Sequence, residues 1–187
     1  MVTKKTKGKE WFEIVSPEFF GGKVIGNTMT SDPDSLVGRK INISLLELLN
    51  NFSKYYMKFT FKVVKIEGKK ALTEFVGSEV LRDYISRMVL RHIRRVDTIQ
   101  DIQTKDKVNV RVKGLAIISK RIKSSITIVV RSEIKSMIQR EVNNSTLDEL
   151  IDKIVSDQLK NMILRRIRTL YPIRTFEIRK LEVQSKV

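Results

Sequence analysis

Apolar and polar residues alternate along several short stretches of this chain, which is the pattern of half-buried β-strands. In the first third, runs with strand composition lie at Trp11–Val15, Val24–Thr30 and Arg39–Ile43, separated by turn-prone glycine, proline and aspartate residues. Met57–Val63 alternates more strictly, and a glycine-containing turn leads from it into Ala71–Val76. The pattern therefore predicts three strands followed by a hairpin with one basic face.

A second hairpin is predicted in the middle of the chain. Val96–Thr104 leads through a short charged turn into Val108–Ile118, where valines alternate with asparagine, arginine and lysine. The tail returns to strand spacing over Arg174–Val183. We therefore expect three further strands, and again one basic face on the hairpin.

Elsewhere apolar residues recur at spacings of three and four, which predicts amphipathic helices. Two such helices are expected over Ser78–Arg95 and Arg131–Val142, and the start of the second stays open because a β-branched run precedes it. The longest helix, Thr146–Leu170, begins with a capping box and ends before a proline. A short helical turn is expected at Ser44–Leu49.

Together these elements predict an α+β fold with an antiparallel β-barrel-like core and flanking amphipathic helices. We expect a basic flexible arm over residues 1–10, followed by a single α+β domain over residues 11–187. The uncharged stretches are far shorter than the roughly 18–20 apolar residues that span a bilayer. No apolar segment follows the basic N-terminus, so we expect no secretory signal and a cytoplasmic protein.

Composition adds a strong positive charge to this picture. The 187 residues include 37 Lys and Arg against 21 Asp and Glu, which gives a net charge of +16. With 41% hydrophobic residues the chain is too apolar for a disordered basic tail, so the charge must lie on a folded surface. The absence of cysteine excludes disulfides, thiol catalysis and iron–sulfur clusters. A polyanionic partner is therefore expected.

Candidate catalytic and ligand-binding patterns are few. His92 is the single histidine, and one histidine without a partner on a helix is more typical of a boundary residue than of a base or metal ligand. Gly21–Thr28 has the spacing of a phosphate-binding loop, but Asn27 stands where that loop needs lysine. We therefore expect no enzymatic activity, metal site, cofactor or small-molecule substrate.

The basic residues form clusters in well-separated parts of the chain. On the predicted helix Ser78–Arg95, four arginines fall within about one third of the circumference, with no acid between them. A further cluster of lysine and arginine follows the second hairpin, and another lies at the C-terminal end of the longest predicted helix. The candidate RNA-binding residues are Lys4, Lys5, Lys7, Lys9, Lys69, Lys70, Arg87, Arg91, Arg94, Arg95, Lys120, Arg121, Lys123, Arg165, Arg166 and Arg168. Helix C-termini also attract cations, which offers a simpler explanation for part of the last cluster.

This distribution favours folded RNA over sequence-specific DNA. A DNA reader concentrates its charge on one element that enters a groove, whereas a protein embedded in folded RNA needs contacts on several sides. The aromatic residues Trp11, Phe12, Phe19 and Phe20 have strand spacing, which favours a place in the core over stacking on bases. The expected mechanism is the neutralisation of phosphates where RNA segments converge.

Several blocks in order also resemble one known family, the small-subunit ribosomal proteins of archaea and eukaryotes called S-three-A-e or e-S-one. The blocks that carry this resemblance are Lys9–Phe12, Ser16–Phe20, Gly38–Leu48, Leu72–Gly77, Arg82–Asp83, Tyr171–Pro172 and Arg179–Lys180. No block is specific alone, but their order and spacing cover nearly the whole chain.

The resemblance implies a structural component of the small ribosomal subunit without enzymatic activity. It implies binding to ribosomal RNA on the platform near the messenger exit region, contacts with neighbouring small-subunit ribosomal proteins, and a β-barrel-like core with flanking helices. Residues 124–130 are more aliphatic than their counterparts in eukaryotic members, which does not favour RNA contacts at that stretch. The chain ends soon after Val183 without the C-terminal extension of the eukaryotic members, so an archaeal-type member is expected.

Two alternatives from other classes are compatible with a basic surface. A free RNA-binding or RNA-modifying protein of the cytoplasm would share the charge, but a modifying enzyme needs a cofactor pocket or an acid–base pair that the sequence does not supply. A membrane-surface protein needs Trp or Phe opposite a basic helix face, whereas the apolar stripe here is Leu, Ile, Met and Tyr. We therefore expect no membrane partner.

Overall fold

The computed structural model describes residues 8–49, 52–120 and 122–186, and over these residues it contains eight strands and five α-helices. The chain divides into two compact units, Met1–Val76 and Gly77–Val187. In chain order the elements are β1 (Glu10–Val15), β2 (Val24–Thr30), β3 (Lys40–Ser44), α1 (Leu45–Leu49), β4 (Met57–Glu67), β5 (Lys70–Val80), α2 (Arg82–Met88), β6 (Arg94–Gln103), β7 (Val108–Ile118), α3 (Ser124–Asn143), α4 (Leu147–Val155), α5 (Gln158–Arg168) and β8 (Ile173–Lys186). The predicted α+β class and both hairpins are confirmed, and the single domain over residues 11–187 stays a prediction.

The first unit is a sheet around an aromatic core. β1 pairs with β2 and β3 with β4 in antiparallel fashion, while β1 pairs with the start of β5 in parallel, so the sheet is not purely antiparallel. The predicted alternation in β4 points Phe59 and Phe61 inward, where they meet Phe20 and Phe75 with ring centroids 5.4 to 6.4 Å apart. These tilted and edge-to-face contacts add to the burial of large apolar surface.

The second unit is a sheet covered by helices. β7 lies between β6 and β8, and β8 also pairs with the end of β5, all antiparallel. The long helix α3 packs against β6 and α5 against β8. Their buried stripes are Val130, Ile134, Ile138 and Val142 on α3, and Leu159, Ile163 and Ile167 on α5. Helical spacing of three and four produces these stripes.

Neither unit closes its sheet in the described residues. The strand order is β2-β1-β5-β4-β3 in the first unit, and in the second the end of β5 is followed by β8, β7 and β6, so neither order returns to its first strand. The barrel-like core predicted from the sequence is therefore not confirmed. No helix among the described residues is long and apolar enough to cross a membrane.

The helix predicted over Ser78–Arg95 is wrong over most of its length. β5 continues to Val80 because Gly77–Glu79 pairs with β8, and α2 covers only Arg82–Met88. His92 then adopts a left-handed φ of 68°, and β6 begins two residues later. Pairing with a strand about one hundred residues downstream overrides the local spacing, and the left-handed turn ends any continuation of the helix.

The helix predicted over Thr146–Leu170 is two helices. The capping box is present, since Thr146 Oγ1 accepts from the Glu149 amide and the Glu149 carboxylate accepts from the Thr146 amide. The break comes at Asp157, which has a left-handed φ of 59°. Asp tolerates this conformation better than most residues, so it turns the chain between α4 and α5. The longest helix is instead α3, which starts at Ser124 and includes the β-branched run.

A buried carboxylate links three elements of the second unit. Glu177 on β8 is 3% exposed, and it accepts hydrogen bonds from Lys160 Nζ of α5 at 2.5 Å and from the Tyr84 hydroxyl of α2 at 3.4 Å. Burial opposes the charged form of Lys160, but the hydrogen bond and charge of Glu177 outweigh it and raise the lysine's pKa. The buried charge is therefore paired, as burial requires.

Ion pairs also run across the sheet surface. Glu182 on β8 accepts from Lys113 of β7 at 2.8 Å and from Lys180 at 2.7 Å, and these hydrogen bonds lower the pKa of Glu182. Arg111 donates twice to Asp101 across β6 and β7, at 2.6 and 2.7 Å. Cross-strand pairs of opposite charge support the register of such a sheet.

We expect Gly114→Ala to destabilise the protein, because a Cβ there would lie 2.6 Å from Thr98 Oγ1 and 3.1 Å from the Phe176 ring. The cost of such overpacking is about 1 to 3 kcal/mol. The measurement is the urea midpoint of unfolding. The control is Gly26→Ala in β2, where no atom lies within 4 Å of the new Cβ. An unchanged midpoint for Gly114→Ala would contradict the tight packing.

We expect the stabilisation from Glu182 to depend on pH. Because its pKa is lowered in the folded state, its contribution is present above its usual value near 4.5 and is lost as the pH falls through the folded pKa. Glu182→Gln should lower stability at pH 7 by less than about 1 kcal/mol, and the difference should shrink below about pH 4.5. Denaturant titrations at several pH values test this. The control Glu47→Gln alters an exposed carboxylate on α1, and an equal pH effect in that variant would refute the assignment.

Candidate nucleic-acid interface

Three chain junctions of the second unit meet at one end of its sheet. Arg94 at the start of β6 lies opposite Ile118 at the end of β7, and Ile118 lies opposite Ile173 at the start of β8. Because neighbouring strands are antiparallel, the start of β6, the end of β7 and the start of β8 share this end. Three connections therefore converge at this end of the sheet: the one from α2 to β6, the one from β7 to α3 and the one from α5 to β8.

Each of these junctions carries exposed cations. We call the set the basic end, and its members are Arg91 and Arg94 before and at β6, Lys120 and Lys123 after β7, and Arg168 and Arg174 around the start of β8. None of the three connecting segments contains an acidic residue. Clusters that are far apart in sequence are thus neighbours in space.

Two electrostatic effects reinforce the positive potential of the basic end. Three adjacent strands span about 10 Å, which is close to the Debye length of about 10 Å at 0.1 M salt, so charges at the three strand ends reinforce one another's potential. The N-terminus of α3, the positive end of its dipole, lies just after Lys123. The negative end of the α5 dipole is offset by the arginines of its last turn.

Ion pairing separates the available cations from the compensated ones. None of the six members of the basic end forms a salt bridge within the described part of the chain. Arg95, by contrast, donates to both oxygens of Asp97 at 2.9 and 2.8 Å, and Arg166 donates to Glu133 at 2.9 Å. Arg95 and Arg166 are therefore compensated within the protein, whereas over the described ranges the six cations of the basic end are not.

The structure divides the sequence-predicted candidates into several groups. The ridge of four arginines on one helix is wrong, since only Arg87 lies on α2, in its last turn. Arg91 lies in a turn, and Arg94 and Arg95 lie on β6. Lys9, Lys69 and Lys70 are exposed in the first unit, and Arg165 lies on α5 beside a groove described below. The candidates Lys4, Lys5, Lys7 and Arg121 lie outside the described residues.

Arg174 was not among the sequence candidates. It stands alone in a strand pattern, and no local cluster marks it. Only the pairing of β8 with β7 brings it to the same end of the sheet as Lys120 and Arg94. Its position two residues after Pro172, which follows the basic end of α5, is the one sequence signal for it.

The other candidate chemistries find no support in the geometry. His92 is exposed in its turn, and no cluster of three or more His, Cys, Asp or Glu residues capable of holding a metal exists in the described ranges. The stretch Gly21–Thr28 forms a turn and most of β2, with a strand where a phosphate-binding loop needs a helix. Of the four aromatic residues near the N-terminus, Phe12 and Phe20 are buried, whereas Trp11 and Phe19 are exposed.

Comparison with known proteins places these features in a family. The chain is 36% identical to small ribosomal subunit protein eS1 of Desulfurococcus amylolyticus, over 98% of this chain and 86% of the relative. It is 35% identical to the protein of the same name from Sulfurisphaera tokodaii, over 97% and 94% of the two chains, and 36% identical to that from Methanothrix thermoacetophila, over 96% and 85%. These relatives are archaeal, as expected for an archaeal-type member. The profile of the Ribosomal S3Ae family matches residues 1–187, and the chain therefore belongs to that family of ribosomal proteins.

Proposed function

We propose that this protein is a structural component of the small ribosomal subunit and that its basic end binds ribosomal RNA. The observation that carries the proposal is the convergence of six exposed cations without ion-pair partners in the described residues. The names of the relatives support the assembly, since each is a small ribosomal subunit protein. The resemblance of the sequence blocks supports a place on the platform near the messenger exit region.

The proposed mechanism is scaffolding by charge neutralisation. Lysines and arginines from three junctions contact phosphates and release condensed counterions, so affinity falls as salt rises. Such contacts fix the position of the RNA segments and carry no sequence information. The protein acts through its surface, without catalysis or cofactor, and its partners are ribosomal RNA and neighbouring ribosomal proteins.

The assembly is tested by sedimentation of the tagged protein from a cell lysate through a gradient at moderately high salt. We expect stoichiometric migration with small ribosomal subunits, because many phosphate contacts hold the protein in place. A protein that remains in the soluble fractions would instead be a free RNA-binding protein, and the structural role would be wrong.

Substitutions at two neighbouring arginines test the basic end, because only one of the two forms an ion pair in the described residues. Arg94→Ala removes a cation of the basic end, and we expect about five- to tenfold weaker binding to small-subunit ribosomal RNA transcribed in vitro. The slope of log K against log salt should fall by about 0.7 to 0.9. Binding isotherms at four salt concentrations measure both quantities.

Arg95→Ala is the matched control, because Asp97 already holds that guanidinium on the same strand. We expect it to change RNA affinity by less than about twofold, with a loss of at most about 1 kcal/mol in stability. Equal losses of affinity in both variants, or an unchanged salt slope for Arg94→Ala, would show that the basic end is not the RNA contact.

A further inference from the structure

A groove of about 610 Å³ runs between α3 and α5 in the second unit. Met137 and Arg140 line it from α3, and Met162 and Arg165 line it from α5. At one end, Arg166 of α5 donates to Glu133 of α3 at 2.9 Å and ties the two helices together. From Glu133 to Arg140 the groove extends for about 10 Å, or two helical turns.

The groove lies beside the core stripes of the two helices and is not part of the core. Ile134 and Ile138 of α3 and Ile163 of α5 are completely buried, so the helices already pack without the groove residues. Met162 is 41% exposed. On α3 the same surface continues one turn further with Val129, which is 57% exposed and four residues before Glu133. The two helices thus share a solvent-accessible apolar strip, formed by Met137, Met162 and Val129.

The charges along this strip have one predominant sign. Arg140 and Arg165 form no salt bridge within the described residues, and the Arg166–Glu133 pair is internally neutral. The groove therefore carries a net charge of about +2 around two methionines. Methionine is flexible and polarisable, and it suits surfaces that receive apolar side chains of another molecule.

These features favour a helical acidic segment over RNA. Phosphates would satisfy the arginines but would leave the methionines and Val129 without apolar partners. An amphipathic helix places side chains at i, i+3 or i+4 and i+7 into a groove of this length, and acidic residues on its flanks would meet Arg140 and Arg165. A third helix in the groove would complete a packing arrangement that α3 and α5 begin.

We propose that the α3–α5 groove docks a helical, net acidic segment of a neighbouring protein in the small ribosomal subunit. This inference rests on the proposed function, since the partner must be present in that assembly. RNA at the basic end and a protein segment in the groove would then occupy adjacent surfaces of the same unit.

The test uses photocrosslinking in assembled small subunits. A benzophenone-bearing phenylalanine replaces Met162 in the groove, and in separate proteins it replaces Lys120 at the basic end or Ile128. The side chain of Ile128 is 63% exposed and lies about 140° around α3 from Glu133. Mass spectrometry identifies the crosslinked peptide or nucleotide.

We expect the probe at position 162 to crosslink to a protein segment with more Asp and Glu than Lys and Arg, and the probe at position 128 not to reach that segment. Adding Arg140→Glu should reduce the yield about five- to tenfold by charge repulsion, whereas Arg140→Lys and the neighbouring Gln139→Glu should leave it within about twofold.

Three results would overturn the docking proposal. These are a crosslink from position 162 to RNA, no crosslink from that position, or a yield that Arg140→Glu leaves unchanged. The probe at position 120 keeps the two proposals distinguishable, because a crosslink from it to ribosomal RNA supports the basic end whatever the groove binds. Absence of the protein from the subunits would instead refute the proposed function.

Discussion

The pairing of β7 with β6 on one edge and β8 on the other is the constraint on which the candidate interface depends. It fixes Arg94, Ile118 and Ile173 side by side, and so brings three distant segments to one end of the sheet. The close approach at Gly114, where the Phe176 ring of β8 and the Thr98 hydroxyl of β6 meet the β7 backbone, leaves no room for a side chain at this crossing. The register therefore rests on tight packing as well as on hydrogen bonds.

Ion pairing within the protein then decides which of the many cations remain available to bind an anionic partner. Arg95, Arg111 and Lys113 face carboxylates on their own or adjacent strands, so most of their charge is compensated within the protein. A phosphate that displaced those carboxylates would gain less than one that met an uncompensated arginine. The net charge of +16 shows that the protein is strongly basic. The ion pairs show which cations are compensated, and the uncompensated cations contribute most to the free energy of RNA binding.

The helices of the second unit add a different kind of surface. α3 and α5 bury one stripe each in the core and expose an adjacent stripe that contains methionines and arginines. The buried Lys160–Glu177 pair joins α5 to β8, and Arg166–Glu133 joins α5 to α3. The packing of α3 against α5 forms both walls of the groove, and a groove formed in advance lowers the entropic cost of receiving a partner.

Local patterns in the sequence determined the elements that depend on neighbouring residues alone. Period-two alternation located both hairpins, the Thr146–Glu149 box located the start of α4, and the sequence blocks indicated the family. These signals are local, so they survive without knowledge of the rest of the chain.

Tertiary structure alone decided the parts that depend on distant partners. The sequence predicts a helix that starts at Ser78, and only the pairing of Gly77–Glu79 with β8 shows that this segment is a strand. The sequence likewise predicts that Asp157 lies within a helix, whereas its left-handed backbone turns the chain there. The same holds for Arg174, which joins the candidate interface only through the register of β8. A sequence specifies which residues are basic, but strand pairing between residues far apart in the chain sets which of them become neighbours.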